Sequence, residues 1–216
     1  MPLERPAVIF AGAPLQVTPR LTGRLAALAR PYVIAADSGA ATALSFGLRP
    51  DVVIGDLDSI SEGTRAQLQG VRFETYPRAK DATDSQLALQ HALRLQPSEL
   101  LLLGFLNGPR LDMTLSNVLL LMNGPTATLL DERNEARLLR SGQSRTWLPE
   151  PDEVITLLPL AGDCEGVTTD GMRFPLNGER LVFGDSRGVS NEPSESTVAV
   201  SIGTGALLIV RHFARL

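Results

Sequence analysis

The sequence predicts an α/β N-terminal domain with a mostly parallel sheet, followed by an all-β C-terminal sandwich domain. Over the first 130 residues, short and continuously apolar segments alternate with segments of helical periodicity. This pattern is typical of parallel strands that helices cover on both faces. After about Leu130 the chain has no convincing helical periodicity, and many short strands are separated by turn residues. We therefore expect the α/β domain over residues 1–130 and the β-sandwich over residues 131–216.

The elements of the first domain follow in regular order. Strands are predicted at Ala7–Gly12, Tyr32–Ala36, Val52–Ile54, Val71–Tyr76, Glu99–Gly104 and Ala127–Leu130. Helices are predicted at Pro19–Arg30, Ala40–Phe46, Ser61–Leu68, Asp81–Leu95 and Leu111–Met122. In the second domain the clearest strand is Thr197–Ile202, whose apolar residues Val198, Val200 and Ile202 alternate with other residues.

Composition limits the classes of function. The chain has 216 residues, of which 44% are hydrophobic and 20% charged, as expected for a soluble globular protein. It has no run of 18 apolar residues and no signal-peptide pattern, so we expect no membrane partner. The net charge of −4 argues against a nucleic-acid surface, and the single Cys164 favours the cytoplasm. Two histidines, His91 and His212, offer little for a zinc cluster or a Ser-His-Asp triad.

Two carboxylates follow the predicted strand Val52–Ile54. Asp56 and Asp58 are separated by one residue, which on an extended chain places them on the same face, about 6.5 Å apart. Two charges at that distance repel by about 2.5 kcal/mol at an effective dielectric constant near 20. A Mg²⁺ site for phosphate chemistry would account for the pair, and an ordinary acidic turn after a strand would also do so.

A second pair of carboxylates precedes the longest predicted helix. Asp81 and Asp84 could serve there as a helix N-cap and a first-turn acid. Lys80 comes directly before them and is the only lysine, beside nineteen arginines. Because the carboxyl ends of parallel strands meet at one edge of the sheet, we expect Lys80 to lie near Asp37 and Asp56.

A glycine-bearing loop, Gly104–Asp112, leads from a strand into a helix. Its backbone N–H groups and Arg110 are suited to phosphate oxygens. The loop is not a P-loop, because the chain contains no G-x-x-x-x-G-K-[ST] motif.

Taken together, these segments resemble the thiamine pyrophosphokinase family. The matching segments, in the family's order, are Ala36–Ala40, Pro50–Asp51 with Gly55–Ile60, Lys80–Asp84 with Leu87–Leu89, Gly108–Asn117, Gly171–Leu176 and Val189–Glu192. Each segment alone is a weak signal, whereas six in order over nearly the whole chain are specific. The family's α/β domain and following β-sandwich agree with the architecture predicted above.

The resemblance implies transfer of a diphosphate from ATP to the hydroxyl of thiamine, leaving AMP, with Mg²⁺ as the cofactor. Such a transfer depends on positioning and charge neutralisation and needs no nucleophilic side chain. The carboxylates that the resemblance associates with catalysis are Asp56, Asp58, Asp81 and Asp84, of which Asp56, Asp58 and Asp84 would hold the metal. The residues associated with nucleotide binding are Asp37, Gly39, Lys80, Arg110 and Asp112.

In the second domain, the resemblance associates Ser190, Asn191 and Phe174 with thiamine. Taken alone, Phe174 could equally be a core aromatic, and Ser190–Asn191 a turn. The resemblance makes residues 1–130 the ATP-binding catalytic domain and residues 131–216 the thiamine-binding domain. Because the family's substrate site forms between two subunits, it also implies a homodimer with its active site at the interface.

Two positions depart from the family's Gly-Gly-Arg-x-Asp-His pattern. Pro109 stands at the second glycine, which removes a backbone donor, and Met113 stands at the histidine. These departures leave open another acceptor alcohol, such as a pterin, or a non-catalytic sensor of thiamine or nucleotide. A phosphatase that uses Asp56 as its nucleophile fits less well, because its lysine would lie well downstream and before a separate acidic pair.

Overall fold

Strand β1 (Ala7–Phe10) lies in the middle of a parallel sheet that organises the first of two units. The computed structural model describes residues 5–124 and 127–214, and the units are residues 1–132 and 133–216. The other strands of the first unit are β2 (Tyr32–Ala36), β3 (Val52–Gly55), β4 (Arg72–Thr75), β5 (Leu100–Leu103) and β6 (Ala127–Leu130). They pair in the order β4-β3-β2-β1-β5-β6, and every neighbouring pair is parallel.

Five α-helices connect these strands within the described part of the unit. They are α1 (Pro19–Ala26), α2 (Gly39–Ser45), α3 (Glu62–Gln67), α4 (Asp84–Leu95) and α5 (Leu111–Leu119). Strands β1 and β5 are fully buried along their length, which explains why the sequence shows continuous apolar runs there. The prediction of a parallel sheet covered by helices is confirmed.

Helix α4 begins three residues later than predicted. Its N-cap is Thr83, whose Oγ1 accepts a hydrogen bond from the N–H of Gln86 at 3.2 Å. The expectation that Asp81 could cap this helix is therefore wrong. Asp84 becomes the first helical residue, where a carboxylate interacts favourably with the helix dipole.

The chain changes direction across the sheet at β1. Strands β2, β3 and β4 are added in turn on one side of β1, and α4 then carries the chain back to β5 on the other side. Loops that follow β1 and β5 consequently diverge at the carboxyl edge, which is where sheets of this type bind ligands.

The second unit is a β-sandwich, as predicted. Its strands are β7 (Asn134–Arg140), β8 (Ser144–Trp147), β9 (Val154–Pro159), β10 (Cys164–Asp170), β11 (Glu179–Leu181), β12 (Val198–Ser201) and β13 (Ala206–His212). Strand β13 pairs with β7 and β9, while β11, β10, β12 and β8 form a second antiparallel sheet. Residues such as Ile155 and Leu207 from one sheet and Val167 and Val200 from the other share one apolar core. Within residues 133–214 we find no helix.

The boundary between the units falls between Glu132 and Arg133, two residues after the expected position. Among the described residues, no helix has both the length and the apolar character that crossing a bilayer requires.

Candidate active site

Three carboxylates from three separate segments meet at the carboxyl edge of the sheet. Asp37 directly follows β2, Asp56 directly follows β3, and Asp84 is the first residue of α4. One oxygen of each lies within 4.8 Å of the others. Two unit charges at that distance repel by roughly 3.5 kcal/mol at an effective dielectric constant near 20. We call Asp37, Asp56 and Asp84 the carboxylate trio.

One buried oxygen of the trio, Oδ1 of Asp37, has no hydrogen-bond partner within the described residues. The buried Oδ1 of Asp84 has the ammonium of Lys80 at 3.2 Å as its neighbour. A buried carboxylate oxygen without a donor is unfavourable unless a cation satisfies it. The sequence predicted that Lys80 would lie near Asp37 and Asp56, and the structure places all three around one cleft. The set Asp37, Asp56 and Asp84 differs from the predicted metal ligands Asp56, Asp58 and Asp84.

Gly55 makes room for the trio. It has a φ of +152°, which side-chain-bearing residues rarely adopt, and a Cβ placed on it would lie 3.1 Å from Asp37 Cβ and 3.1 Å from Asp84 Oδ1. Glycine at this position therefore allows the carboxylates to approach one another over the end of β3.

Gly39 lets α2 begin against β1. A Cβ on this residue would lie 2.0 Å from the carbonyl oxygen of Phe10, so no other amino acid fits. This close packing places Asp37, two residues earlier, at the sheet edge. Asp37 has a φ of +48°, and the hydroxyl of Ser59 donates a hydrogen bond to its Oδ2. A role of Gly39 in nucleotide binding stays a prediction.

Lys80 lies among the carboxylates. Its Nζ is 3.2 Å from Asp84 Oδ1 and 3.9 Å from Asp56 Oδ2, and only 13% of its side chain is exposed. Burial raises the pKa of Asp84 above its ordinary value, an effect that Lys80 opposes and that Asp37 and Asp56 reinforce. A single ammonium thus compensates only part of the negative charge.

A cleft of about 660 Å³ opens over the trio. Its lining comes from loops after β1, β2, β3 and β4 and from α4 and α5: Gly12, Ala36, Asp37, Ser38, Asp56, Arg78, Lys80, Asp81, Ala82, Thr83, Asp84, Ser85, Gln86, Met113 and Ser116. Asp81 is exposed on the cleft wall and is not a member of the trio. Met113, one of the two departures from the family pattern, also faces this cleft.

Arg78 is a lining residue that the sequence analysis missed. Its side chain makes no hydrogen bond or ion pair with residues 5–124 or 127–214, so its charge is available to a ligand. The only signal in the sequence is its position two residues before Lys80, and arginine is common throughout this chain.

Asp58 lies outside the trio. Residue Leu57 has a φ of +65°, so the chain after β3 turns, and the expectation of an extended segment with Asp56 and Asp58 on one face is wrong. Asp58 is exposed, and its backbone N–H donates to Oδ1 of Asp56 at 3.2 Å. A metal or catalytic role for its side chain stays a prediction.

Arg110 and Asp112 pair with each other at the start of α5. Nε and Nη2 of Arg110 donate to the two carboxylate oxygens of Asp112, and both residues are exposed and do not line the cleft. This pairing raises the pKa of Arg110 and lowers that of Asp112. Their predicted nucleotide contacts are untested, and binding through Arg110 would require it to exchange partners.

The three residues associated with thiamine lie close together in the second unit. Phe174 is 61% exposed, so the alternative of a core aromatic is wrong. Its backbone is hydrogen-bonded to the side chain of Asn191. Ser190 is exposed with a φ of +62°, and its N–H donates to Thr156 Oγ1 at 3.1 Å.

Two family models match the chain, one in each unit. The model described as "Thiamin pyrophosphokinase, catalytic domain" matches residues 25–129, and "Thiamin pyrophosphokinase, vitamin B1 binding domain" matches residues 148–208. A curated protein, the thiamine pyrophosphokinase of Bacillus subtilis (strain 168), is 31% identical over 209 residues, which is 94% of this chain and 96% of that relative. The chain belongs to the thiamin pyrophosphokinase family.

Solved structures agree with this family membership. The crystal structure of thiamine pyrophosphokinase from Bacillus subtilis superposes with a TM-score of 0.87 at 28% identity, covering 97% of this chain and 100% of that one. The yeast thiamin pyrophosphokinase has a TM-score of 0.77 at 16% identity, covering 97% and 87%, and so shows a shared fold. The fold predicted for a thiamin pyrophosphokinase, an α/β unit followed by a β-sandwich, is confirmed.

Proposed function

We propose that this member of the thiamin pyrophosphokinase family transfers the diphosphate group of ATP to the hydroxyl of thiamine and releases AMP, with Mg²⁺ as its cofactor. The observation that carries the proposal is the carboxylate trio beside Lys80 at the carboxyl edge of the sheet. This arrangement supports binding of a metal-bound polyphosphate. The family models that match both units support ATP and thiamine as the two substrates.

The charge of the cleft supports a divalent cation. Four carboxylates line it, against two cationic side chains, Arg78 and Lys80. A polyphosphate would be repelled, since two like charges 5 Å apart interact unfavourably by roughly 3 kcal/mol at an effective dielectric constant near 20. Carboxylate oxygens are ligands that Mg²⁺ prefers, and the buried Oδ1 of Asp37, which has no donor within the described residues, fits that requirement.

Each side chain then has a defined task in the proposed reaction. The trio would hold the Mg²⁺ ion, which when bound supplies positive charge next to the phosphates. Lys80 and Arg78 would hold phosphate oxygens and keep the β-phosphorus in line with the thiamine hydroxyl. The hydroxyl oxygen loses its proton to solvent and forms a bond to that phosphorus, the bond to the oxygen bridging to the α-phosphate breaks, and AMP leaves with that oxygen. No covalent bond to a side chain is required.

The direct test is product analysis with purified protein, ATP, MgCl₂ and thiamine. We expect thiamine diphosphate and AMP in equal amounts by chromatography, and neither product when thiamine or Mg²⁺ is omitted. Asp56→Asn should abolish both products while the far-UV circular dichroism spectrum is unchanged. If AMP forms only with another alcohol, such as a hydroxymethyl pterin, the proposal that thiamine is the acceptor is refuted. Thiamine binding without AMP would identify a sensor.

We also propose that the protein acts as a homodimer with its active site at the interface. Helix α5 carries Leu111, Leu115 and Leu119, which are spaced four residues apart on one face and are 72%, 56% and 53% exposed. An exposed apolar stripe of this kind supports burial against a second copy of the chain.

Light scattering tests the dimer. The wild-type mass should be twice the 23.2 kDa of one chain. Leu115→Glu should halve that mass and lower activity, whereas Leu148→Glu, at an exposed leucine outside the stripe, should leave the mass unchanged. A monomeric, fully active wild type would contradict the proposal.

We propose a cytoplasmic location for the enzyme. The single cysteine, Cys164, is buried and unpaired, which supports an environment where disulfides are not needed. Fractionation of the source cells with an antibody to the protein tests this, and recovery outside the cytoplasmic fraction would contradict it.

A further inference from the structure

Asn191 is attached to β9 by its backbone. Its N–H donates to the carbonyl of Ile155, and its own carbonyl accepts a hydrogen bond from the N–H of Ile155, both at 2.8 Å. These two bonds use both backbone polar groups of Asn191. Only its side-chain amide remains for a neighbour on the other side.

That neighbour is the segment 171–174, which runs antiparallel to residues 191–194. The N–H of Arg173, for example, donates to the carbonyl of Glu192 at 2.9 Å. The next position along this pair of segments brings Phe174 opposite Asn191, whose backbone groups are already bonded to β9. A regular backbone ladder would therefore leave Phe174 without a partner at this point.

The side chain of Asn191 supplies the missing partner. The N–H of Phe174 donates to Asn191 Oδ1 at 3.1 Å, and Asn191 Nδ2 donates to the carbonyl of Phe174 at 2.7 Å. Oδ1 also accepts the N–H of Glu192 at 2.9 Å. The amide oxygen thus has both of its acceptor positions filled, and one hydrogen of Nδ2 remains.

The ring of Phe174 is exposed while its backbone is fixed. The guanidinium carbon of Arg173 lies 5.5 Å from the ring centroid, and Arg173 Nη1 is 2.9 Å from Glu192 Oε2. One face of the ring is thus near a cation that is itself held by a carboxylate. An exposed aromatic ring with a fixed backbone is suited to stacking on a flat heteroaromatic ring.

We infer that Asn191 is a positioning residue, which fixes the backbone of Phe174 so that its exposed ring can stack on thiamine. The sequence resemblance associates Asn191 with direct contact to thiamine, whereas its amide oxygen is already fully used within the chain. The identity of the substrate rests on the proposed function. The two hydrogen bonds between the Asn191 side chain and the Phe174 backbone, which we call the clamp, do not depend on the proposed function.

Kinetics with varied thiamine at saturating ATP test the inference. Asn191→Ala and Phe174→Ala should each raise the KM for thiamine by about tenfold, the effect of losing one stacking contact. The double variant should be no worse than Phe174→Ala alone, because Asn191 acts through that ring. The KM for ATP should not change. Asn177→Ala, at an exposed asparagine without a hydrogen bond in the described chain, is the matched control.

Hydrogen exchange gives a readout that does not depend on turnover. The amide of Phe174 should exchange at least tenfold faster in Asn191→Ala than in the wild type or in Asn177→Ala, since it loses its acceptor. Asn191→Asp keeps the acceptor oxygen but loses the donor to the Phe174 carbonyl, so its KM should lie between those of the wild type and Asn191→Ala. This variant also covers the case in which alanine prevents folding.

Each result has a distinct meaning. If the increases in the KM for thiamine of the two single variants multiply in the double variant, the inference is overturned, because Asn191 would then act on the substrate independently of Phe174. Unchanged exchange at Phe174 would overturn the clamp. Faster exchange in a protein that makes no AMP from thiamine would refute the proposed function and leave the clamp in place.

Discussion

The Nζ atom of Lys80 lies 3.2 Å from Oδ1 of Asp84, four residues further along the chain, and both side chains are largely shielded from solvent. This contact places the chain's only lysine against a carboxylate whose pKa is raised by burial. One internal cation therefore faces the three carboxylates of the trio, and a net negative charge remains for a metal ion.

Replacing Asp84 should separate metal binding from stability. Because the pKa of Asp84 is raised, its ionised form at neutral pH is less favourable in the folded protein than in the unfolded chain. Metal-free Asp84→Asn should accordingly unfold at a higher temperature than the wild type. A gain of about 1 kcal/mol corresponds to roughly 2–4 °C in a chain of this size.

The same variant should lose its response to Mg²⁺. Thermal unfolding with millimolar MgCl₂ should shift the wild type upward by mass action, but not Asp84→Asn. Asp170→Asn, at an exposed aspartate of β10, is the control and should behave like the wild type. An equal Mg²⁺ shift in all three proteins would refute metal binding at the trio.

Substitutions of Asp37 and Asp58 should differ in their effect on metal affinity. Asp37 belongs to the trio, and Asp58 is exposed outside it. Asp37→Asn should weaken Mg²⁺ or Mn²⁺ binding by about tenfold or more, whereas Asp58→Asn should change it less than threefold. Isothermal titration with the metal alone measures both. A larger effect of Asp58→Asn would support the metal role suggested by the sequence resemblance.

Gly55→Ala should push the carboxylates apart. The added Cβ would lie 3.1 Å from atoms of both Asp37 and Asp84, and φ at this position is +152°. We expect a loss of about 1–3 kcal/mol in the free energy of unfolding and a large loss of metal affinity.

The control for this prediction is Gly63→Ala. Gly63 lies within α3, and a Cβ there would meet no atom within 4 Å, so alanine should be neutral or should stabilise by up to about 1 kcal/mol. Chemical denaturation measures both variants. Equal stability of the two would show that the structure around Gly55 adapts to a side chain.

Lys80 should influence the pH below which metal binding is lost, which we call the acid limit. Asp84 must be ionised to bind a cation, so affinity should fall as the pH decreases through its raised pKa, above the ordinary value of 3.8. Lys80 lowers this pKa, and Lys80→Met should therefore move the acid limit to higher pH. Titrations with Mn²⁺ between about pH 4 and 8 measure the shift, and Lys80→Arg, which keeps the charge, should show a smaller one.

The sign for stability is opposite to that for metal binding. A carboxyl group whose folded-state pKa is raised contributes stability below its unfolded-state pKa, and the contribution is lost as the pH rises through the folded-state value. Metal-free Asp84→Asn should accordingly show its advantage over the wild type at neutral pH and none below about pH 4. An advantage that grows on acidification would contradict the raised pKa.

Arg78 should contribute to the affinity for ATP. Hydrogen bonds to charged groups contribute about 1.5–3 kcal/mol, so Arg78→Met should raise the KM for ATP by about 10- to 100-fold. Arg94→Met, at an exposed arginine in the last turn of α4, is the control and should leave the KM for ATP unchanged. Measuring Arg110→Met in parallel decides whether that guanidinium leaves Asp112 to reach the phosphates. An unchanged KM in Arg78→Met would exclude Arg78 from the site.

The sequence predicts the parallel sheet well because buried strands carry a strong pattern. The uninterrupted leucines of β5 and the carboxylates after β2 and β3 place Asp37 and Asp56 at one edge by topology alone. The position of Asp58 depends instead on the positive φ of Leu57, and apolar patterning carries no information about such a turn.

Other features depend on contacts between segments that are distant in sequence. The availability of Arg78 follows from the absence of an acidic partner among the described residues, and the clamp on Phe174 follows from the prior use of Asn191's backbone by β9. Neither relationship has a local sequence signal. The use of Thr83 instead of Asp81 as the N-cap of α4 is a local choice between two residue types that both favour N-caps.

The presence of only one lysine in 216 residues turns amine chemistry into a probe of a single site. Apart from the α-amino group of the chain, reductive methylation with ¹³C-formaldehyde labels only the Lys80 ammonium, which lines the cleft beside Asp84. The resulting carbon–proton resonance would report directly on metal and nucleotide binding, without labelling of any other side chain.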